Sequence, residues 1–75
     1  MKFRRFDNYA EISEDGRYTV SAAKVQGLWT FQGWRRGLFD GDPATLLTPN
    51  RLTIAEDARI ACRRDARAAA SKKAA

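Results

Sequence analysis

Two hydrophobic periods follow one another along this 75-residue chain. From Ala10 to Arg36, β-branched and aromatic residues alternate with polar ones, as strands require. Beyond Thr53, alanine dominates and apolar residues recur at helical spacing. The stretch between them holds two prolines and several turn residues, and reads as irregular.

Val25-Gln26-Gly27-Leu28 has the form of a two-residue hairpin turn, with glycine free to take a positive φ. That turn pairs Lys24 with Trp29, Ala22 with Phe31, Val20 with Gly33 and Tyr18 with Arg35. One face then carries Tyr18, Val20, Ala22, Trp29 and Phe31, the predicted core. The other carries Thr19, Ser21, Thr30, Gln32 and Trp34, with Val25 and Leu28 beside the turn. Upstream, a three-residue Glu14-Asp15-Gly16 loop sets Ile12 opposite Tyr18 and Ala10 opposite Val20. A two-residue Asp15-Gly16 turn would bring Glu11 onto the core face and cost desolvation, so the longer loop is expected.

Asp42-Pro43-Ala44 can open one helical turn that ends before Pro49. Thr53-Ile54-Ala55-Glu56 matches a capping box, which predicts a helix over 53–70 and a frayed tail over 71–75. Ile54, Ala58, Ala61, Cys62 and Ala69 share one stripe of that helix, with Arg59, Arg63 and Arg67 opposite. Asp65 projects near the apolar stripe, so either packing ends near Cys62 or Asp65 pairs with an arginine. The expected fold is one α+β domain: a three-stranded antiparallel meander (9–36), an irregular connection (37–52), and one C-terminal helix packed on one face.

Composition narrows the chemistry. Hydrophobic residues make up 44%, which suits a folded chain, although so short a chain buries a thin core. There is no histidine, and Cys62 is the single cysteine. The commonest general base, the commonest metal ligand and any internal disulfide are therefore missing. Cys62 has no histidine to activate it and lies on the packed stripe, as a structural thiol does. Glu11, Glu14, Asp15, Asp40 and Asp42 sit on or near turns, where such acids solubilise the chain. The glycines form no phosphate-binding loop. The expectation is a non-enzyme with no cofactor, no metal and no small-molecule substrate. No apolar run approaches the roughly 18 residues of a membrane span, and the N-terminus does not read as a secretory signal. A soluble protein of a reducing, cytoplasmic compartment is expected.

Charge supplies the functional clue. Fourteen Lys and Arg against nine Asp and Glu give +5 and a pI near 10.0. Residues 1–50 hold seven basic and six acidic side chains, residues 51–75 seven and three, so the field is concentrated towards the C-terminus. Arg59, Arg63 and Arg67 repel one another at four-residue spacing, which is either a solvated face or one that meets phosphates or an acidic partner. Trp34, followed by Arg35 and Arg36, is either covered by Leu46, Leu47 and Leu52 or left open as a stacking or anchoring residue.

Three strands, a Trp34-Arg35-Arg36 third strand, Gly37-Leu38-Phe39-Asp40 and an alanine-rich helix together resemble the ethylene-response-factor type of DNA-binding domain. They also resemble the related amino-terminal domains of tyrosine integrases. That resemblance implies a helix on one sheet face and DNA contact through the other, in the major groove, by Trp34, Arg35, Arg36 and Arg17. In size, style of fold and arginine- and alanine-rich composition the chain also resembles short phage and mobile-element proteins, anti-CRISPR proteins among them. Such an inhibitor would dock on a protein effector complex through Arg59, Arg63 and Arg67 or through the Trp34 face, blocking nucleic-acid binding or assembly. The expectation is a small basic binding module that contacts nucleic acid or a nucleoprotein complex through Arg17, Trp34, Arg35, Arg36, Arg59, Arg63 and Arg67. Glutamates at Arg59, Arg63 and Arg67 together should then abolish function and spare the fold. A homodimer is also expected, because a thin core gains from covering more surface.

Overall fold

The Val25-Gln26-Gly27-Leu28 turn organises the chain around it. Gln26 (φ 51) and Gly27 (φ 82) both take left-handed backbone, the mirror-image turn whose twist matches that of paired strands. In the computed structural model, which describes residues 2–37 and 41–74 and side chains as far as Ala70, five strands precede one helix among the described residues. They are β1 (Phe3–Asp7), β2 (Ala10–Ser13), β3 (Tyr18–Val25), β4 (Leu28–Arg35), β5 (Thr45–Leu46) and α1 (Ala55–Ala74). The strands form one antiparallel sheet in sequence order. The α+β class and the C-terminal helix stand as expected. The β3–β4 register is also the one the turn dictates, from Tyr18 opposite Arg35 to Val25 opposite Leu28.

The sheet has five strands rather than three. Phe3–Asp7 pairs with β2 across a turn closed by Asp7 Oδ1, which accepts the Tyr9 amide at 2.7 Å. Thr45–Leu46, expected within a helical turn, instead lies beside Trp34 and Arg35 as a short edge strand. Leu52 continues the ladder as an isolated bridge to Phe31. Leu38, Phe39 and Asp40 lie outside the described residues, as does Ala75.

The β2 register also differs. Glu11 pairs with Val20, Ile12 with Thr19 and Ala10 with Ser21. The Glu11 side chain therefore lies on the helix side and Ile12 on the far side, the reverse of the expectation. The desolvation that argued against this is offset by Arg59, whose Nε and Nη2 each reach a Glu11 carboxylate oxygen at 2.7 Å.

Helix α1 packs on one face of the sheet, against β3 and β4. Its core is small: Tyr18, Val20, Ala58 and Cys62 are buried, with Phe3, Phe31, Leu47, Leu52 and Ala66 partly buried around them. Close approach is possible because β4 offers no side chain at Gly33, where a Cβ would stand 3.0 Å from the Ala58 carbonyl oxygen and 3.1 Å from Cys62 Sγ. Burial pushes the Cys62 thiol pKa up, in keeping with a packing role. Trp29, expected in the core, is 45% exposed. The helix begins near the Phe31–Leu52 bridge, so Trp29 lies beyond its end and packs on Tyr9, ring centroids 6.1 Å apart. The helix runs to Ala74, past the expected fraying at 71. Its capping box is not made as expected. Glu56 commits its carboxylate to Arg59 and Arg63, and the first turn closes through Asp57 N–H to Ile54 O.

Candidate functional site

Because α1 occupies one side of the sheet, the other side is uncovered among the described residues. Antiparallel register lines up one row across all five strands: Arg4 opposite Ile12, Ile12 opposite Thr19, Thr19 opposite Trp34, and Trp34 opposite Leu46. One step further towards the hairpin turn stand Ala10, Ser21 and Gln32. Trp34 is the centre of this surface. Its Nε1–H donates to Ser21 Oγ at 2.9 Å, which ties the indole to the neighbouring strand. The ring is half-buried. Leu46 stands beside it, whereas Leu47 and Leu52 turn to the core on the helix side and leave it uncovered.

Cations border the row. Arg4 follows Phe3, which packs on the core, so alternation along β1 sends it to the uncovered side. Beyond the row, Arg36 N–H donates to Arg17 O and extends the β3–β4 ladder by one pair. Both side chains are exposed at that rim, with Arg36 Nη1 donating to Gly16 O at 3.2 Å. The rim turn is fixed by Asp15, whose Oδ1 accepts the Ser13 hydroxyl and the Arg17 amide. Those bonds, the hydroxyl first, hold its carboxyl pKa below the usual value.

The seven residues expected to act together fall into separate places. Arg17, Trp34 and Arg36 share the uncovered face and its rim. Arg35 points to the helix side, where its Nη1 reaches both Asp65 oxygens at 2.9 and 3.1 Å. Tyr18 Oη donates to the same carboxylate at 2.8 Å. Of the two readings of Asp65, pairing with an arginine is the one realised. Burial, then the bond to Asp65, pushes the Tyr18 hydroxyl pKa up to about 12.

Arg59 and Arg63 do not project away from the sheet. Arg59 grips Glu11 and lies 3.4 Å from Glu56, while Arg63 reaches Glu56 at 3.1 Å and stands over the Phe3 ring. Arg59's hydrogen bonds hold the Glu11 carboxyl below its usual value, and the Arg63 bond does the same to Glu56. These two arginines fasten the helix to β1 and β2. Only Arg67 of the expected stripe is exposed on the helix. A row of three arginines is thus one exposed cation and two ion-paired ones.

Arg4, Ile12 and Leu46 are the additions to the uncovered face, and they follow from β1, the β2 register and β5. Among the described residues no group of three His, Cys, Asp or Glu side chains gathers as a metal site. No described helix is long and apolar enough to cross a membrane. Compared with protein-family models, curated proteins and solved structures, the chain matches none.

Proposed function

We propose that the chain is a cytoplasmic, non-enzymatic module that binds nucleic acid on the sheet face turned away from α1. The observation that carries this reading is the row Arg4–Ile12–Thr19–Trp34–Leu46, uncovered among the described residues and bordered by Arg17 and Arg36. A flat aromatic, short hydroxyl and amide side chains, and flexible cations at the edge are the parts that base stacking and phosphate contact use. The sequence resemblance to sheet-reading DNA-binding domains agrees in assigning contact to the face opposite the helix. Arg35, Arg59 and Arg63 leave the contact set, because their charge is held by Asp65, Glu11 and Glu56.

The test is fluorescence anisotropy of labelled duplex and single-stranded DNA at about 50 and 200 mM salt. If Arg4, Arg17 and Arg36 each neutralise one phosphate, affinity falls about 40-fold over that range for duplex and about 20-fold for single strands. Trp34→Ala should weaken single-strand binding by about 5- to 150-fold, the range of one stacked base. Absence of binding at the lower salt refutes the reading and turns the same face towards a protein partner, as an inhibitor would use it.

A further inference from the structure

Trp34 has one polar atom, and the fold uses it. Its Nε1–H donates to Ser21 Oγ, which stands diagonally across the β3–β4 pair and draws the indole down over the sheet. The ring then has no donor left for a base edge or a phosphate. What it offers a partner is its π-face, and a base meets that face only when its own face is free. Bases inside a duplex have both faces taken by their neighbours, whereas those of a single strand do not. The breadth of the sheet points the same way. Five strands at about 4.8 Å spacing set the outer two about 19 Å apart. The major groove of B-DNA is about 12 Å wide and admits a helix or a two-stranded ribbon. Trp34 stands on the fourth strand, with β5 on one side and three strands on the other, so no edge of the sheet carries it into a groove.

We infer that this face takes a single strand of DNA and stacks one of its bases on Trp34. The inference rests on the nucleic-acid reading of the face and names the form that is bound. Charge complements the strand. Arg17 and Arg36 lie two residues beyond Thr19 and Trp34 on the same face, about 7 Å away. A base on the indole therefore has a phosphate within reach of both guanidiniums, and Arg4 stands at the far end of the row for another. Among the described residues, β2, β3 and β4 place no Asp or Glu on this face. The row also selects DNA over RNA. Trp34 is flanked by Leu46 on one side and by Thr19, then Ile12, on the other. Their methyl groups suit the C5-methyl that thymine carries and uracil lacks.

Fluorescence anisotropy with labelled oligothymidylate, oligouridylate and a duplex of equal length, at about 50 mM salt, tests it. The thymidine strand should bind at least about 5-fold more tightly than the duplex, the lower end of the range for one stacked base. It should also bind about fourfold more tightly than the uridine strand, as one buried methyl group gives. Trp34→Ala should abolish the preference over duplex and leave duplex affinity unchanged. Should that variant unfold, Trp29→Phe decides, because it keeps a ring against Tyr9 and leaves Trp34 as the single tryptophan. The thymidine strand should quench its emission and the duplex should not. A duplex bound as tightly as the thymidine strand, with Trp34 emission unchanged by either, leaves nucleic-acid binding standing and overturns the inference. A uridine strand bound as tightly as the thymidine strand overturns the assignment to DNA. No binding of any of the three removes the nucleic-acid reading itself, and the inference with it.

Discussion

Gly33→Ala is the sharpest probe of how the helix is seated. The added methyl would stand 3.0 Å from the Ala58 carbonyl oxygen, 3.1 Å from Cys62 Sγ and 3.7 Å from Thr48 Cγ2. Neither of the first two can step aside. The carbonyl belongs to the helix backbone, and Cys62 is fully buried. The helix must therefore lift by a few tenths of an ångström, loosening Ala58 and Cys62 against Tyr18 and Val20. Overpacking of this kind costs about 1–3 kcal/mol. Restricting the unfolded chain returns about 0.4–1 kcal/mol. The net loss lies between about 0 and 2.6 kcal/mol, centred near 1.3 kcal/mol, a sizeable share of what a small domain possesses. Urea unfolding followed by tryptophan fluorescence should show a lower midpoint at unchanged slope. The melting temperature should fall about 4–8 °C for each kcal/mol. Adding Cys62→Ala removes one of the two clashes, so the double variant should lose less than the sum of the single changes. A Gly33→Ala protein that unfolds at or above the wild-type midpoint would refute the claim that the missing side chain sets the helix–sheet distance.

Acid should act through Glu11. Its pKa is depressed in the fold by Arg59, so its stabilisation is present above the usual value of 4.5 and is lost as pH falls through the lower folded value. Chemical denaturation across that window should show a steeper acid decline for the wild type than for Glu11→Gln, and equal slopes would contradict the pairing. The helix arginines should part company: Arg59→Glu sets a like charge against Glu11 and Glu56 and should cost about 3 kcal/mol, whereas Arg67→Glu should stay within about 0.5 kcal/mol of the wild type. The earlier expectation that glutamates at Arg59, Arg63 and Arg67 spare the fold is thereby reversed, and thermal melts of the two single variants decide it.

What was legible in the sequence was local. Gln26 and Gly27 set the β3–β4 register because a two-residue turn leaves no freedom in the pairing. The expected packed stripe holds at Ala58 and Cys62, but Ile54, placed on it too, stands just ahead of the helix and is exposed. The β2 register was not legible, because what makes Glu11 tolerable on the helix side is an arginine 48 residues away, with no trace near Glu11 itself. Strand β1 was hidden by Phe3-Arg4-Arg5-Phe6, whose apolar and charged positions do not alternate with period two. As a result Arg4 went unplaced. Arg59 and Arg63 appeared free because helical phase distinguishes the packed stripe from its opposite but says little about the flanks, where these two meet Glu11, Glu56 and Phe3.

The sheet's outer edges have a consequence for how large an assembly can grow. On one side β1 presents Arg4 and Arg5, and its ladder is interrupted by an irregularity between Arg5 and Asp7. On the other, β5 is two residues long, with Pro43 and Pro49 near its ends in the sequence. Charge, a bulge and shortness each deny an incoming strand a straight run of free amides and carbonyls. Neighbouring molecules therefore have no template for adding strand upon strand, and fibrils are disfavoured even at high concentration. Growth is left to contacts between side chains, which end at a fixed number of copies only where the pairing is isologous or its rotation completes a ring.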